Sequence, residues 1–284
     1  MRFELPELHE ALRDTLRRFV EKGDVSRFDE LELWGLMLPE ACGGAEMDAL
    51  AYVVVLESLA ELSPALAHRF ALHAGPASAA MLEAKLDPST LAEGTLATWT
   101  DGARAPRSTW LVVETDALRI YEGARWTPAP LMALDEAELS SFEVAEPVAS
   151  AKTSPRVRAL ADLGMAACQV GAAQAALRAA RAYAKERKQF GRPIADFQAI
   201  QWKIADATTE LDAAQLLVRA AASDLKKAAQ ARVFAGVVAN RAASEALQIH
   251  GGYGYTREYP VERWLRAIRI WSADPDAARL RADG

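Results

Sequence analysis

Residues 186–201 read ERKQFGRPIADFQAIQ. The run opens as a charged helix end, stops at Gly191, crosses Pro193 and restarts as an amphipathic segment, the pattern of a corner between two helices. Arg187 and Gln189 stand beside Phe190 at the break, and Phe197 and Gln198 follow where the second helix begins. Read alone, the stretch is a helix corner with a solvated charge run. Its meaning depends on what lies on either side.

Upstream, Leu163, Ala166, Val170, Ala173, Leu177 and Ala180 recur at helical spacing, and nothing breaks the pattern before Gly191. The helix is predicted to start after the linker AEPVASAKTSP, where Ser154 and Pro155 have the chemistry of an N-cap and a first helical position. Such a helix is roughly 50 Å long. Downstream, a second helix from near Asp196 carries Phe197, Ile200, Ile204, Leu211 and Leu217 inward, and a third, over about residues 227–249, carries Val233, Val237 and Leu247. With a fourth segment around YPVERWLRAIRIW, residues 151–284 read as a four-helix bundle.

At the other end, residues 5–22 place Leu8, Leu12, Leu16 and Phe19 on one helical stripe. The segment LWGLMLPEACGGAEMD gathers Gly35, Pro39, Gly43 and Gly44 into a loop, and residues 49–75 resume as an alanine-rich helical region interrupted at Ser63 and Pro64. Residues 1–90 therefore read as an N-terminal helical domain. Composition shifts over residues 91–150, where STWLVVETDALRIYEGARW carries β-branched and aromatic residues in short runs between turn residues, a small β element. The predicted fold class is mainly α, with an N-terminal helical domain, a reduced middle β segment and a C-terminal four-helix bundle.

The 284 residues are 51% hydrophobic and 25% charged with a net charge of -6, a globular composition that argues against nucleic acid as partner. The acidic, amphipathic start has no basic region leading to an apolar one, and no stretch reaches the roughly 18 apolar residues of a membrane span, so a cytoplasmic protein is expected. Cys42 and Cys168 lie far apart without CxxC or Cys/His spacing and read as small core residues. The spacing of His68 and His73 does not suit a two-histidine metal pair, and His250 reads as a loop residue; no metal site is expected.

A second glycine-rich run, ALQIHGGYGYTREYPVERW at residues 246–264, ends the third helix at Gln248 and passes through Gly251, Gly252 and Gly254. Glycines there cap a helix and also let a ligand approach the backbone closely. No strand precedes them, so a Rossmann nucleotide loop is not indicated. RKQFG, then FQ, then QIHGGYGYTREYP, in this order within a helical half, resemble the acyl-CoA dehydrogenase family. The run LWGLMLPEACGGAEMDALAYVVVLESLAEL is similar to the family's loop and helix before the substrate cavity, and AELSSFEVAEPVAS to the end of its middle domain.

That resemblance implies a helical N-domain, a middle β-domain, a four-helix bundle and FAD held partly across a subunit interface. By resemblance Arg187 meets the pyrophosphate of FAD bound mainly by the neighbouring subunit, with Gln189 and Phe190 beside it. Phe197 and Gln198 line the adenine side, and Gln248, Gly251 and Gly252 supply backbone and amide contacts. An arginine fork suits a pyrophosphate by charge-assisted hydrogen bonds. LATWTDG echoes the family's flavin-contacting strand, with Thr98 or Thr100 toward the ring.

The family removes the substrate's α-proton with a glutamate while the β-hydrogen leaves as hydride to the flavin. An ungapped count from EYPVER puts Pro275 at that position, between Asp274 and Asp276. Some relatives carry the base on the first bundle helix, where Ala161 stands here beside Asp162. Asp274, Asp276 and Asp162 are thus the candidate catalytic carboxylates, each with a shorter reach than glutamate. The middle segment is also shorter than the family's. The implied function is a part in α,β-desaturation of an acyl-CoA thioester, as a homo-oligomer or in a heteromer whose related partner subunit supplies the missing glutamate, with electron-transferring flavoprotein as acceptor. The alternatives are a non-catalytic subunit that binds FAD or a partner surface, and acyl oxidation or oxygenation on the same scaffold.

Overall fold

The computed structural model describes residues 4–100, 104–130, 134 and 137–272. The first helix, α1 (Glu7–Lys22), is closed by Gly23 in the left-handed conformation. Its stripe holds at Leu16 and Phe19, with Leu12 half-buried, but Leu8 is 61% exposed. His9 takes the inward place, its ring bonded to Asp48 at 2.8 Å, so the first turn docks through a polar contact one residue out of the predicted phase. Asp48 is also the N-cap of α2 (Ala49–Leu62), accepting from the Ala51 amide. Ser63 then caps α3 (Pro64–Leu72), with Pro64 at its first turn. A π-turn over His73–Ala77, containing Pro76, leads into α4 (Ser78–Glu83) and the short α5 (Ser89–Ala92).

The middle segment is more strand-rich than a single β element. β1 (Ala97–Thr100), β3 (Trp110–Glu114), β4 (Leu118–Glu122) and β7 (Ala149–Ala151) form one sheet in the order β1-β3-β4-β7. β2 (Arg104–Pro106), β6 (Leu139–Glu143) and β5 (Arg125–Pro128) form a second, in the order β2-β6-β5. β1 pairs in parallel with β3, Trp99 opposite Val112, and the remaining pairs of both sheets are antiparallel. Each sheet is small because its strands are three to five residues long.

The long helix α6 (Pro155–Glu186) begins as its sequence predicts, with the Ser154 hydroxyl accepting from the Val157 amide and Pro155 at the first position. From Leu160 to Leu177 it is buried on every face but Gln174. Alanine and glycine fill that stretch, which lets α2, α7 (Gln198–Ser223), α8 (Ala228–His250) and α9 (Val261–Ser272) all pack on it. A helix apolar all round belongs at the centre of its domain, and α6 is that centre. The contact between α2 and α6 is closest at glycines: a Cβ on Gly171 would lie 2.1 Å from the Glu57 carbonyl oxygen, and one on Gly164 2.3 Å from the Tyr52 hydroxyl, which donates to Ala71 O at 2.6 Å.

Around this core the bundle departs from the predicted stripes in two places. On α7 only Leu211 of the expected inward residues is buried; Ile200, Ile204 and Leu217 are half-buried against the core and Phe197 lies outside it. α8 turns its alanines, Ala231, Ala235, Ala239 and Ala242, toward the core, while Val237 is 53% exposed and Val233 half-buried. Small residues bring two helix backbones closer than valine allows, so the alanine face is the one that packs. Cys168 is buried, whereas Cys42 is only half-buried in the glycine-rich loop. Among the described residues no helix is long and apolar enough to cross a membrane.

Candidate functional site

The end of α6 and the end of α8 meet at one edge of the bundle. After Glu186, Arg187 leaves the helix in an extended conformation, and β8 (Lys188–Gln189) turns back into β9 (Arg192–Pro193). The two-residue turn is Phe190-Gly191, with φ of 50° and 83°. Positive φ at both central residues is what a type I′ hairpin requires, and glycine meets it freely where phenylalanine does not. The Ile194 amide closes the hairpin by donating to Arg187 O at 2.8 Å, and a 3-10 turn over Ile194–Asp196 leads to α7.

On the facing side α8 ends at His250, two residues past Gln248, with Gly251 at φ 62° breaking it. A 3-10 turn over Gly251–Tyr255 follows. A Cβ built on Gly251 or Gly252 would meet nothing within 4 Å, so the backbone here is open to an incoming group.

Between these two ends lies a cavity of about 460 Å³. Tyr183, Arg187 and Gln189 line it from the α6 side, with Ile194, and Ile249, His250, Gly251, Gly252 and Tyr253 from the other, with Thr256. Its lining is one cation, several aromatic and aliphatic side chains and an open backbone. Arg187 is exposed, 6.0 Å from the centroid of the Tyr253 ring, and among the described residues no carboxylate pairs with it. His250 is buried, stacked on Tyr183 at 4.6 Å and edge-on to Tyr259 at 5.3 Å. Its Nδ1–H donates to Ala246 O at 2.8 Å, while Nε2 is buried without a partner among the described residues. Burial holds the imidazole below its usual pKa, favouring the neutral ring.

Of the residues singled out in sequence, Arg187, Gln189, Gly251 and Gly252 come together around this cavity. Phe190 stands at the hairpin tip, 93% exposed. Phe197 packs edge-on against it at 6.3 Å, with the Arg192 guanidinium 4.4 Å from the Phe197 ring centroid. Gln198 and Gln248 are exposed and do not line the cavity; Gln248 takes part through its carbonyl, which accepts from the Gly251 amide. Tyr183 and His250 were not anticipated as lining residues. The signal is the spacing: Tyr183 lies four residues before Arg187, in the last turn of α6, and His250 directly precedes the glycine pair.

The candidate carboxylates lie elsewhere. Asp162 is buried in α6, bonded to Arg232 of α8 at 2.7 Å, with Ala161 buried beside it. It precedes Arg187 by roughly 37 Å of helix. Asp274, Pro275 and Asp276 lie outside the described residues. Of the two threonines of β1, Thr98 is buried with its hydroxyl unpartnered among the described residues, and Thr100 donates to Arg104 O at 3.1 Å. Next to them Trp99 Nε1 donates to the buried Glu114 at 3.0 Å. Among the described residues no group of three or more His, Cys, Asp or Glu side chains is placed to hold a metal ion.

Comparison with known proteins matches both helical ends of the chain. The family model for the acyl-CoA dehydrogenase N-terminal domain matches residues 24–84, and that for the C-terminal domain residues 161–273. The probable acyl-CoA dehydrogenase YngJ of Bacillus subtilis is 52% identical over 115 residues, which cover 38% of this chain and 30% of that protein. The caffeyl-CoA reductase-Etf complex subunit CarC of Acetobacterium woodii is 50% identical over 117 residues, 39% of this chain and 31% of that one. The matched stretch is thus about a third of these relatives' own length. Butyryl-CoA dehydrogenase from Megasphaera elsdenii has the same fold, with a TM-score of 0.81 at 23% identity over 96% of this chain and 95% of that one. With two models of one family matched on either side of the β segment, the chain belongs to the acyl-CoA dehydrogenase family.

Proposed function

We propose that the cavity between the ends of α6 and α8 takes the adenosine diphosphate end of an FAD molecule carried mainly by a neighbouring subunit. We further propose that the assembled protein acts in α,β-desaturation of an acyl-CoA thioester. The observation that carries the reading is the pairing, around one 460 Å³ space, of an arginine without a carboxylate partner and a glycine backbone with open space before it. A volume of that order suits a cofactor fragment. Arg187 supplies a charge-assisted contact for the pyrophosphate, and Tyr183, Ile194 and Tyr253 supply the apolar faces an adenine needs. The exposed Phe190 gains a neighbour if a second subunit covers the hairpin. When bound, FAD supplies the hydride acceptor for the substrate's β-carbon.

The base is the open part of the reading. Ala161 has no side chain to offer, and the Asp162 carboxylate is committed to a buried pair with Arg232. This favours a heteromer in which a related chain contributes the glutamate, with electron-transferring flavoprotein taking the electrons. The same observation supports a second reading, a subunit that binds FAD for assembly and performs no chemistry.

The visible spectrum of the purified chain, before and after anaerobic addition of mixed acyl-CoA thioesters, separates these. Flavin that bleaches in the isolated chain rules out the need for a partner's base. Flavin that bleaches only when a glutamate-bearing chain is added supports the heteromer, and flavin that bleaches in neither supports the assembly role. Arg187→Ala is expected to weaken flavin binding about 10- to 100-fold, the worth of one charge-assisted hydrogen bond. Unchanged flavin affinity in that variant sinks the assignment of the cavity.

A further inference from the structure

The loop that closes the cavity between α6 and α8 returns to the bundle at a residue that does not line it. From Gly251 the chain runs through the 3-10 turn to Tyr255 and comes back at Tyr259. Pro260 follows, and its carbonyl accepts from the Arg263 amide at the start of α9. Tyr259 is half-buried and makes no part of the cavity wall, yet its ring meets three rings that do. His250 lies at 5.3 Å and 63°, Tyr183 at 5.4 Å and 87°, and Tyr253 at 5.9 Å and 61°. All three pairs are edge-on, within the roughly 4.5–7 Å at which aromatic rings attract beyond the area they bury.

The three rings depend on Tyr259 to different degrees. Tyr183, in the last turn of α6, and His250, at the end of α8, also stack on each other at 4.6 Å, so each keeps an aromatic neighbour without it. Tyr253 does not. It is 46% exposed, and among the described residues Tyr259 is its one aromatic partner. Tyr253 is in turn the ring over which the Arg187 guanidinium lies, at 6.0 Å. An exposed arginine samples many rotamers in water, and holding it to one of them on binding a ligand costs affinity. A cation resting on an aromatic face has given up part of that freedom before the ligand arrives. Support therefore runs from Tyr259 to Tyr253 and from Tyr253 to Arg187.

We propose that Tyr259 is a positioning residue of this cavity: by backing Tyr253 it holds the Arg187 guanidinium ready for the pyrophosphate of a bound dinucleotide. The inference rests on the reading of the cavity as the site of the adenosine diphosphate end of FAD. Tyr259 acts through its neighbour and touches neither Arg187 nor the nucleotide. Its contribution is made by the ring, so Tyr259→Phe retains it and Tyr259→Leu, which keeps an apolar side chain ahead of α9, removes it.

ADP is the probe, because it is the part of FAD that this chain's own residues hold, and its binding is measured without a second subunit or any turnover. Isothermal titration of the full chain is run on wild type, Tyr259→Phe, Tyr259→Leu, Arg187→Ala and the double variant, with the unfolding midpoint of each. Arg187→Ala is expected to weaken ADP about tenfold in the wild-type background and no more than about twofold in Tyr259→Leu, where the guanidinium is no longer held ready. Tyr259→Leu alone should weaken ADP about fivefold, and Tyr259→Phe should stay within about twofold of wild type. A residue that serves folding alone lowers the midpoint of Tyr259→Leu and leaves the Arg187→Ala effect the same in both backgrounds. That result overturns the inference, as does a Tyr259→Leu chain that binds ADP like wild type. Failure of the underlying reading looks different: a wild-type chain that takes no ADP, or takes it equally well after Arg187→Ala, removes the nucleotide site and the inference together. If Tyr259→Leu does not fold, the same cycle with Tyr259→Met, which fills more of the space without a ring, decides between the outcomes.

Discussion

Glycine serves opposite ends in two regions of this molecule. On α6, Gly164 and Gly171 let α2 come so near that an added Cβ would lie 2.3 and 2.1 Å from atoms of α2. At the end of α8, Gly251 and Gly252 face open space. The first pair exists for a contact within the chain, the second leaves room for something outside it. Two of the three buried histidines, His73 and His250, divide the same way. His73 has both nitrogens bonded, Nε2–H to Trp34 O at 3.2 Å and Nδ1 from the Ala97 amide at 3.0 Å, and so ties the glycine-rich loop to β1. His250 has one nitrogen bonded and one left over beside the cavity.

The sharpest way to break this contrast is to add one methyl group to each pair. In Gly171→Ala the new carbon meets backbone, which cannot rotate aside, so α2 and α6 must separate; a loss of about 3 kcal/mol or more is expected in urea unfolding. Gly252→Ala meets nothing, so stability should stay within about 0.5 kcal/mol of wild type, while flavin affinity falls about tenfold. Equal stability losses in the two variants would erase the distinction between closed and open glycines.

The next largest effect belongs to His73. Burial lowers its pKa from 6.5 to about 4, because removal from water disfavours the charged imidazolium. The unfolded chain then binds the proton more readily. Stability is complete above pH 6.5 and is lost progressively as pH falls toward about 4, by about 3 kcal/mol in all. His73→Gln should flatten that part of the stability profile, and a profile unchanged by the substitution would show that other groups set it.

Sequence reasoning reached the elements more readily than their faces. Ser154 and Pro155 mark the start of α6 because capping is a local contest over a few amide groups. The phase of α1 escaped it: Leu8 and His9 are equally compatible with a helix, and the Asp48 carboxylate, thirty-nine residues away from His9, decides which one turns inward. Val237 escaped for the same reason. Periodicity says which residues share a face, but the close approach of α8 to α6 selects the alanine face over the valine. At the cavity Arg187 and Gly251 are lining residues that their motifs single out, while Gln198 and Gln248 do not line a space defined only once two helix ends meet.

The smallest expected effect sharpens the comparison most directly, because it separates folding from binding at a single residue. Phe190 occupies a left-handed position, φ 50°, ahead of Gly191, and its ring is 93% exposed. Both features oppose stability in the isolated chain: the backbone is strained for a bulky side chain, and its apolar surface stays in water. Asparagine is the preferred first residue of a type I′ turn, so Phe190→Asn should stabilise the flavin-free chain by about 0.5–1 kcal/mol. If the hairpin is a docking element, the same substitution should weaken subunit association and, with it, flavin retention, so stability and binding move in opposite directions. Sedimentation and flavin content measured beside the unfolding midpoint read both at once. A gain in stability with association and flavin content unchanged would mean that Phe190 is merely a poor turn residue, and that the hairpin belongs with the closed regions of the molecule.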